Sequence, residues 1–367
     1  MSEHYIGLMS GTSMDGIDAV LVHFGEREVG ILATHKAPYP AELRERLHKA
    51  AGTPVNEPID DIGGLDRAVG ECFRDAANAV LATSGLDAAT IRAIGSHGQT
   101  VRHQPDAIRP YSLQIGNPAL IADGTNISTV GDFRSADIEA GGQGAPLVPP
   151  FHEWLFRTPD ANRVVANIGG IANITVLGPT GTPVVGFDTG PGNALLDRWI
   201  HVHRGEPFDA DGGWAAEGTC DELLLKRLLS FEYFDLAPPK STGLEDFNLH
   251  WLQKYLTDAH TPVDVQATLC ELTARSIADA IRDHARQTDQ LFVCGGGAHN
   301  LELLRRLGRN LPETSIDTTA TVGLDPDWVE AVAFAWLAMR TMNDETGNLP
   351  SVTGASRKVV LGTIHSR

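Results

Sequence analysis

Three glycine-rich turns carry the residues best suited to chemistry. The first, Gly11-Thr12-Ser13-Met14-Asp15-Gly16, lies between two apolar runs. Its backbone N–H groups and two hydroxyls suit an anion such as a phosphate. Asp15 in that turn is placed to hold a hydrated Mg²⁺ beside such phosphates. Gly, Ser, Thr and Asp are also what ordinary hairpin turns use, so this turn alone leaves both readings open. It is not a P-loop, because no GxxxxGK[ST] pattern occurs.

The second turn, Asp188-Thr189-Gly190-Pro191-Gly192-Asn193, ends an apolar run and precedes a helical stretch over 194–200. An acid at a strand end beside a helix N-terminus suits phosphoryl transfer. The amides hold phosphate oxygens while the carboxylate orients or deprotonates the attacking group. A helix cap is the plainer alternative, but the glycines and the proline exceed what a cap needs. In the third turn, Gly295-Gly296-Gly297 with Asn300, the missing side chains let a flat group such as adenine approach the backbone. A close strand-to-helix crossover would use the same glycines.

Polar residues elsewhere could line a polyol site. His97 and Thr100 lie in the segment Gly95-Ser-His-Gly-Gln-Thr100, with Arg102 and His103 just beyond. Arg134 stands between Asp132 and Asp137, where a plain ion pair is the competing reading. Glu330 interrupts the apolar stretch 328–337, either facing a polar cleft or lying on an exposed first helical turn.

The elements that must position these residues occur twice in the same order. In the first copy, runs at 5–9, 17–24 and 29–34 read as strands, with the first glycine turn between the first two. Helical composition over 41–83, broken near 52–58 and at 63–64, leads to a strand at 91–94 and then Gly95. The second copy has strands at 164–168, 174–177 and 184–187, with the turn 169–173 after the first of them. Helical stretches at 220–230 and 264–285 follow, then a strand at 291–294 running into the third turn. This repetition predicts an α/β protein of two duplicated lobes. Residues 1–130 with 340–367 are expected to form lobe I and 131–339 lobe II, with the segment 141–150 as the crossover.

Composition narrows the partners. The formal charge of −18, from 29 Lys and Arg against 47 Asp and Glu, argues against nucleic acid and anionic membrane surfaces. The four cysteines are far apart with no CxxC pair, as expected of free thiols in a reducing compartment. No basic segment followed by a long apolar run opens the chain, and the longest apolar stretch is about half a membrane span. A cytoplasmic protein is expected.

With these residues in view, a family resemblance is specific. SGTSMDGID (10–18), GSHGQTVRH (95–103), DFRSADIEAGGQGAPLVP (132–149), NIGGIANIT (167–175), GFDTGPGN (186–193), KSTGLEDFN (240–248), CGGGAHN (294–300) and EAVAFAWLA (330–338) resemble the anhydro-N-acetylmuramic acid kinase family, in order and across nearly the whole chain. The resemblance implies a fold similar to hexokinase, actin and Hsp70: two ribonuclease-H-like lobes with mixed five-stranded sheets and a central nucleotide cleft. It implies conversion of 1,6-anhydro-N-acetylmuramic acid, ATP and water to N-acetylmuramic acid 6-phosphate, with Mg²⁺ as cofactor and a homodimer as the assembly.

By the same resemblance Asp188 is the catalytic base. ATP contacts fall to Gly11, Thr12, Ser13, Met14, Asp15, Gly16, Ile17, Asp18, Gly169, Gly190, Gly192, Asn193, Gly295, Gly296, Gly297 and Asn300. The sugar contacts are His97, Thr100, Arg134, Asp188 and Glu330. A nucleotide-gated binding protein on the same fold is the alternative. It would hydrolyse ATP slowly and give no sugar product.

Overall fold

The computed structural model describes residues 3–54, 57–105, 107–285 and 287–367. Met1, Ser2, Val55 and Asn56, which fall in the N-terminal stretch and in the expected helix break, lie outside the described residues. The chain divides into two compact units, Met1–Leu155 with Trp328–Arg367, and Phe156–Asp327.

Unit 1 is built on a mixed sheet. Strands β1 (His4–Met9), β2 (Gly16–Phe24) and β3 (Val29–Pro38) pair antiparallel in sequence order. On the other side of β1, strand β4 (Ile91–Ser96) runs parallel to it. Strands β5 (Gln99–Gln104) and β6 (Tyr111–Ile115) form a separate hairpin, and β7 (Thr129–Gly131) pairs parallel with β4. A C-terminal strand, Thr363–His365, adds antiparallel to β7 and makes the sheet six-stranded rather than five. At three residues that strand is too short to show a period-2 pattern in sequence.

Strand β1 is apolar almost throughout because both of its faces are covered. Ile6 and Leu8 join the core formed with Leu65, Val69 and Phe73 of the helix Ile62–Ser84. That helix starts where the sequence places a break, with Asp61 accepting a hydrogen bond from the Gly64 N–H. On the opposite face Gly7 and Gly95 are register partners. A Cβ on Gly7 would lie 1.9 Å from the Ala331 carbonyl oxygen, and one on Gly95 2.0 Å from that of Phe334. The two bare positions let the buried helix Val329–Met342 lie directly on the sheet.

Unit 2 repeats the plan. Strands β8 (Arg163–Ile168), β9 (Ile171–Leu177) and β10 (Val185–Pro191) pair antiparallel in order, while β11 (Gln290–Cys294) runs parallel to β8 and β12 (Ser315–Thr318) parallel to β11. Order and direction match β3-β2-β1-β4-β7 strand for strand. The helix Pro262–His284 supplies much of the core through Leu269, Leu272 and Ile277, against Leu303 and Leu307 of the helix Leu301–Asn310.

The unit boundaries differ from those expected at 130 and 339. They fall at 155/156 and 327/328, and the segment 141–150 belongs to unit 1. The physical reason is aromatic packing. Phe151 and Trp154 contact Trp336, and Trp154 contacts Phe24, so the segment past 150 is held to the first sheet. The whole helix Val329–Met342 goes with the sheet that Gly7 and Gly95 open to it.

Candidate active site

In unit 2 neighbouring parallel strands release two of the glycine turns at one sheet edge, the carboxyl ends where open α/β sheets place their ligands. The register pairs Cys294 with Asn167, so the turns that follow each strand emerge side by side. The first is tighter than expected, only Gly169 and Gly170, because β9 already begins at Ile171. The Gly192 N–H donates to the Gly170 carbonyl (2.9 Å) and the Asn193 N–H to that of Gly169 (2.8 Å). Asn193 Nδ2 donates to the Ile168 carbonyl at 3.1 Å.

The glycines here are sterically required. A Cβ on Gly192 would lie 2.3 Å from the Gly169 oxygen, and one on Gly297 2.5 Å from Ile168 Cβ. Gly295 has φ +75°, and a Cβ there would sit 2.5 Å from Asn167 Oδ1. Gly169, Gly192, Asn193, Gly295 and Gly297 thus gather around the end of β8, and a Cβ on Gly296 would lie 3.6 Å from Asn193 Nδ2. Asn300 takes the cap role. Its side chain accepts from the Leu303 N–H at 2.9 Å, starting the helix Leu301–Asn310.

Asp188 stands where β10 is irregular. It pairs with Asn173, whereas Gly190 pairs with Ala172, leaving Thr189 as the extra, bulged residue. The Thr189 hydroxyl donates to the Ala172 carbonyl (3.2 Å). Gly190, at φ +143°, is covered by Phe234, which a Cβ would approach to 2.7 Å.

Segment 233–246 wraps Asp188. The Tyr233 hydroxyl donates to the Asp188 carbonyl (2.7 Å), and the Asp188 N–H to the Lys240 carbonyl (3.3 Å). The Thr242 N–H reaches carboxylate oxygen Oδ2 at 3.1 Å. Burial, and then the Asp188 and Asp246 carboxylates, push the Tyr233 hydroxyl well above its ordinary value, so it keeps the proton that it donates. Burial pulls the Lys240 ammonium down from its ordinary value; it donates to the Tyr233 carbonyl at 3.1 Å.

In unit 1 the first turn divides its residues between two tasks. Met14, at φ +54°, and Ile17 are buried in the core, so only their backbone can serve a ligand. Gly16 lets β3 pass close by: a Cβ would lie 2.4 Å from the Ala37 oxygen. Asp18 is half-buried within β2, opposite Met9 and Lys36. Gly11 has open space where a Cβ would be, and Thr12, Ser13 and Asp15 are exposed. The Asp15 carboxylate pairs with Arg44 at 2.5 Å. Ser10 Oγ lies 2.7 Å from both the Gly16 carbonyl and Gln99 Oε1, and Gln99 Nε2 donates to the Gly11 carbonyl (3.2 Å).

His97 adjoins this turn and is buried against the Phe334 ring, 4.7 Å between centroids. Its Nε2 lies 2.9 Å from Arg134 Nη2, which can only donate. Its Nδ1 therefore carries the hydrogen and donates to the Ser10 carbonyl at 3.0 Å. Burial, then Arg134, lower the His97 pKa to about 3, in keeping with a neutral ring. Both ring nitrogens are engaged within the protein, so His97 links the turn to Arg134.

Arg134 Nη1 also donates to the Gly144 carbonyl (2.8 Å). The flanking acids have other tasks. Asp132 accepts from Ser135, and buried Asp137 accepts from the Gly144 N–H, Asn348 and Thr353. Thr100 receives a hydrogen bond from Gln114 Nε2 at 3.0 Å. Glu330 is half-buried on the first turn of the helix that Gly7 and Gly95 seat, next to Ala331.

In unit 2 Gly169, Gly192, Asn193 and Gly295–Gly297 come together, and in unit 1 His97 links Ser10 to Arg134, while the side chains of Asn300, Met14 and Ile17 serve the fold. Sequence reasoning did not assign Ser10, Gln99, Tyr233, Lys240, Thr242 or Asp246. The last four lie in a stretch where only the short elements Glu232–Asp235 and Leu249–Gln253 form, and only the motif KSTGLEDFN marks it.

Comparison with known proteins gives a consistent result. The profile of the family described as "Anhydro-N-acetylmuramic acid kinase" matches residues 3–367. A protein of that name from Shewanella halifaxensis is 51% identical over 367 residues, covering 99% of each chain. One from Thiobacillus denitrificans is 51% identical over 368 residues, covering 99% of this chain and 97% of that protein. Among solved structures, the activator of 2-hydroxyisocaproyl-CoA dehydratase from Clostridium difficile with bound ADPNP is similar at TM-score 0.49 and 12% identity, covering 93% of this chain and 96% of that one. A ROK hexokinase from Thermus thermophilus is similar at TM-score 0.38 and 15% identity, covering 92% and 99%.

Proposed function

This chain belongs to the anhydro-N-acetylmuramic acid kinase family, and from that premise we propose how its residues divide the work. The protein is an ATP-dependent carbohydrate kinase that converts 1,6-anhydro-N-acetylmuramic acid and water to N-acetylmuramic acid 6-phosphate, opening the anhydro ring.

Asp188 takes the proton of the water that attacks C1. As the C1–O6 bond breaks, O6 attacks the γ-phosphorus and the bond to ADP breaks. A glycosidase normally needs a second carboxyl group to protonate the departing oxygen. Here the phosphoryl group captures that oxygen, so one carboxylate suffices. The observation that carries this assignment is the clamp on Asp188: its carbonyl, its N–H and one carboxylate oxygen are each held by segment 233–242.

The exposed hydroxyls and amides of the turn 10–16 bind the phosphates. Gly295, Gly296 and Gly297 take the adenosine end beside Gly169, Gly192 and Asn193. Thr100, Arg134 and Glu330 contact the sugar, and the Arg134 cation suits the lactyl carboxylate. Among the described residues no group of three or more His, Cys, Asp or Glu could cage a metal. An exposed Asp15 beside two hydroxyls fits Mg²⁺ instead, which keeps its waters and binds through one carboxylate and the phosphates. When bound, Mg²⁺ neutralises charge developing on the transferred phosphoryl group.

Cys72, Cys220, Cys270 and Cys294 form no disulfide, which supports a cytoplasmic setting, and among the described residues no helix is long and apolar enough to cross a membrane. A homodimer completes the proposal, with light-scattering mass as its check. The test of the chemistry is incubation with Mg-ATP and the anhydro-sugar, expecting a 6-phosphate with an opened ring. Phosphorylation of an ordinary hexose but not of this sugar would overturn it.

A further inference from the structure

We propose that Thr242 and Asp246 form a latch that sets the carboxylate of Asp188. The inference rests on the reading of Asp188 as the base. Thr242 turns two groups in different directions. Its N–H donates to Asp188 Oδ2 at 3.1 Å, and its hydroxyl donates to Asp246 Oδ2 at 2.7 Å.

Asp246 is itself fixed. The Asp246 and Phe247 N–H groups both donate to the Gly243 carbonyl, closing a turn directly after Thr242. Phe247 is fully buried, with its ring 5.6 Å from Tyr233, 5.7 Å from Phe231 and 5.1 Å from Trp251. Tyr233 in turn donates to the Asp188 carbonyl. One aromatic cluster therefore anchors both ends of the segment that grips Asp188.

A hydrogen bond from an N–H fixes the rotation of a carboxylate about its Cβ–Cγ bond. General-base catalysis depends on that rotation, because a displaced lone pair no longer meets the water's proton. The hydroxyl of Thr242 has no chemistry of its own here. It holds the backbone amide in line by tying the side chain to a charged acceptor. Thr242 and Asp246 are positioning residues.

The test uses the full chain with Mg-ATP and the anhydro-sugar. Thr242→Val keeps the shape and removes the hydroxyl. It is expected to lower kcat about tenfold, a fraction of the ~10²–10⁴ that a positioned base supplies, while KM for ATP stays within about twofold. Thr242→Ser should restore most of the rate. Asp246→Ala should match Thr242→Val, and the double variant should be no slower than either single one, because the two groups act as a unit. Additive losses, or a kcat unchanged in Thr242→Val, would overturn the latch, as would a loss of kcat that Thr242→Ser does not restore while thermal midpoints are unchanged.

Asp188→Asn separates this from the reading beneath it. If that variant turns over normally, the base assignment fails and the latch falls with it. If it is inactive while Thr242→Val is fully active, only the latch fails.

Discussion

His97 and Arg134 are joined at 2.9 Å through Nε2 of a neutral imidazole whose other nitrogen donates to the carbonyl of Ser10. One buried ring thus connects the first glycine turn to the arginine proposed for the sugar carboxylate. The arrangement works only while the ring is uncharged, since a proton on Nε2 would face the guanidinium.

That relation has a pH consequence. Burial lowers the pKa of His97 to about 3 and of His152 to about 3, and burial with Arg134 lowers that of His103 to about 4. The unfolded chain takes up protons below about 6.5, where the folded chain does not. Stability is therefore full above that pH and declines as the pH falls toward 4, by at most about 1.4 kcal/mol per pH unit for each fully buried histidine. Thermal midpoints measured from pH 7 to pH 5 should fall, and His97→Gln should show a shallower slope. An equal slope in that variant would mean that His97 titrates normally in the folded protein.

Asp188→Asn should reduce turnover by about 10³-fold or more, within the range that positioned general bases supply. The amide keeps an acceptor for the Thr242 N–H, so the clamp and the fold persist. ATP affinity, measured by calorimetry, should stay within about threefold. The split between lost chemistry and retained binding is the readout that a structural role would not give.

Asp15 tests a different division. Its pair with Arg44 is exposed, with the carboxylate 62% accessible, and exposed pairs contribute about 0–1 kcal/mol. Asp15→Asn should leave the thermal midpoint nearly unchanged while raising the Mg²⁺ concentration needed for half-maximal rate. Arg44→Ala should leave the midpoint nearly unchanged and, by freeing the carboxylate, should not raise the Mg²⁺ requirement. A rise in Mg²⁺ requirement with Arg44→Ala but not with Asp15→Asn would remove Asp15 from the metal.

What the sequence made legible was the repeated order of strands and turns, because strands β1 and β8 are buried on both faces and read as continuous apolar runs. Glycine turns were legible for a related reason: Gly192, Gly295 and Gly297 each sit where a Cβ would meet backbone or a packed side chain. The unit boundary was not legible, because Phe151 and Trp154 look like any apolar residues until Phe24 and Trp336 are seen to contact them. Nor was the clamp on Asp188. Thr242 acts through its backbone N–H, a group every residue but proline carries, and a chain position 54 residues away gives no periodic signal.

The helix carrying Glu330 offers the sharpest structural test. It rests on Gly7 and Gly95, register partners on adjacent parallel strands, and the atoms above them are carbonyl oxygens of the helix itself. A methyl on Gly95 would lie 2.0 Å from the Phe334 oxygen, and no rotamer change can relieve a clash with backbone. Gly95→Ala should therefore destabilise by about 3 kcal/mol or more, read by denaturant midpoint. Gly63→Ala is the control, since that exposed helical position has nothing within 4 Å and should gain up to ~1 kcal/mol. Whatever fraction of Gly95→Ala remains folded must carry a shifted helix. Its KM for the sugar should rise more than its KM for ATP, because Glu330 and the Phe334 ring against His97 move together. Equal changes in both constants would detach Glu330 from the sugar.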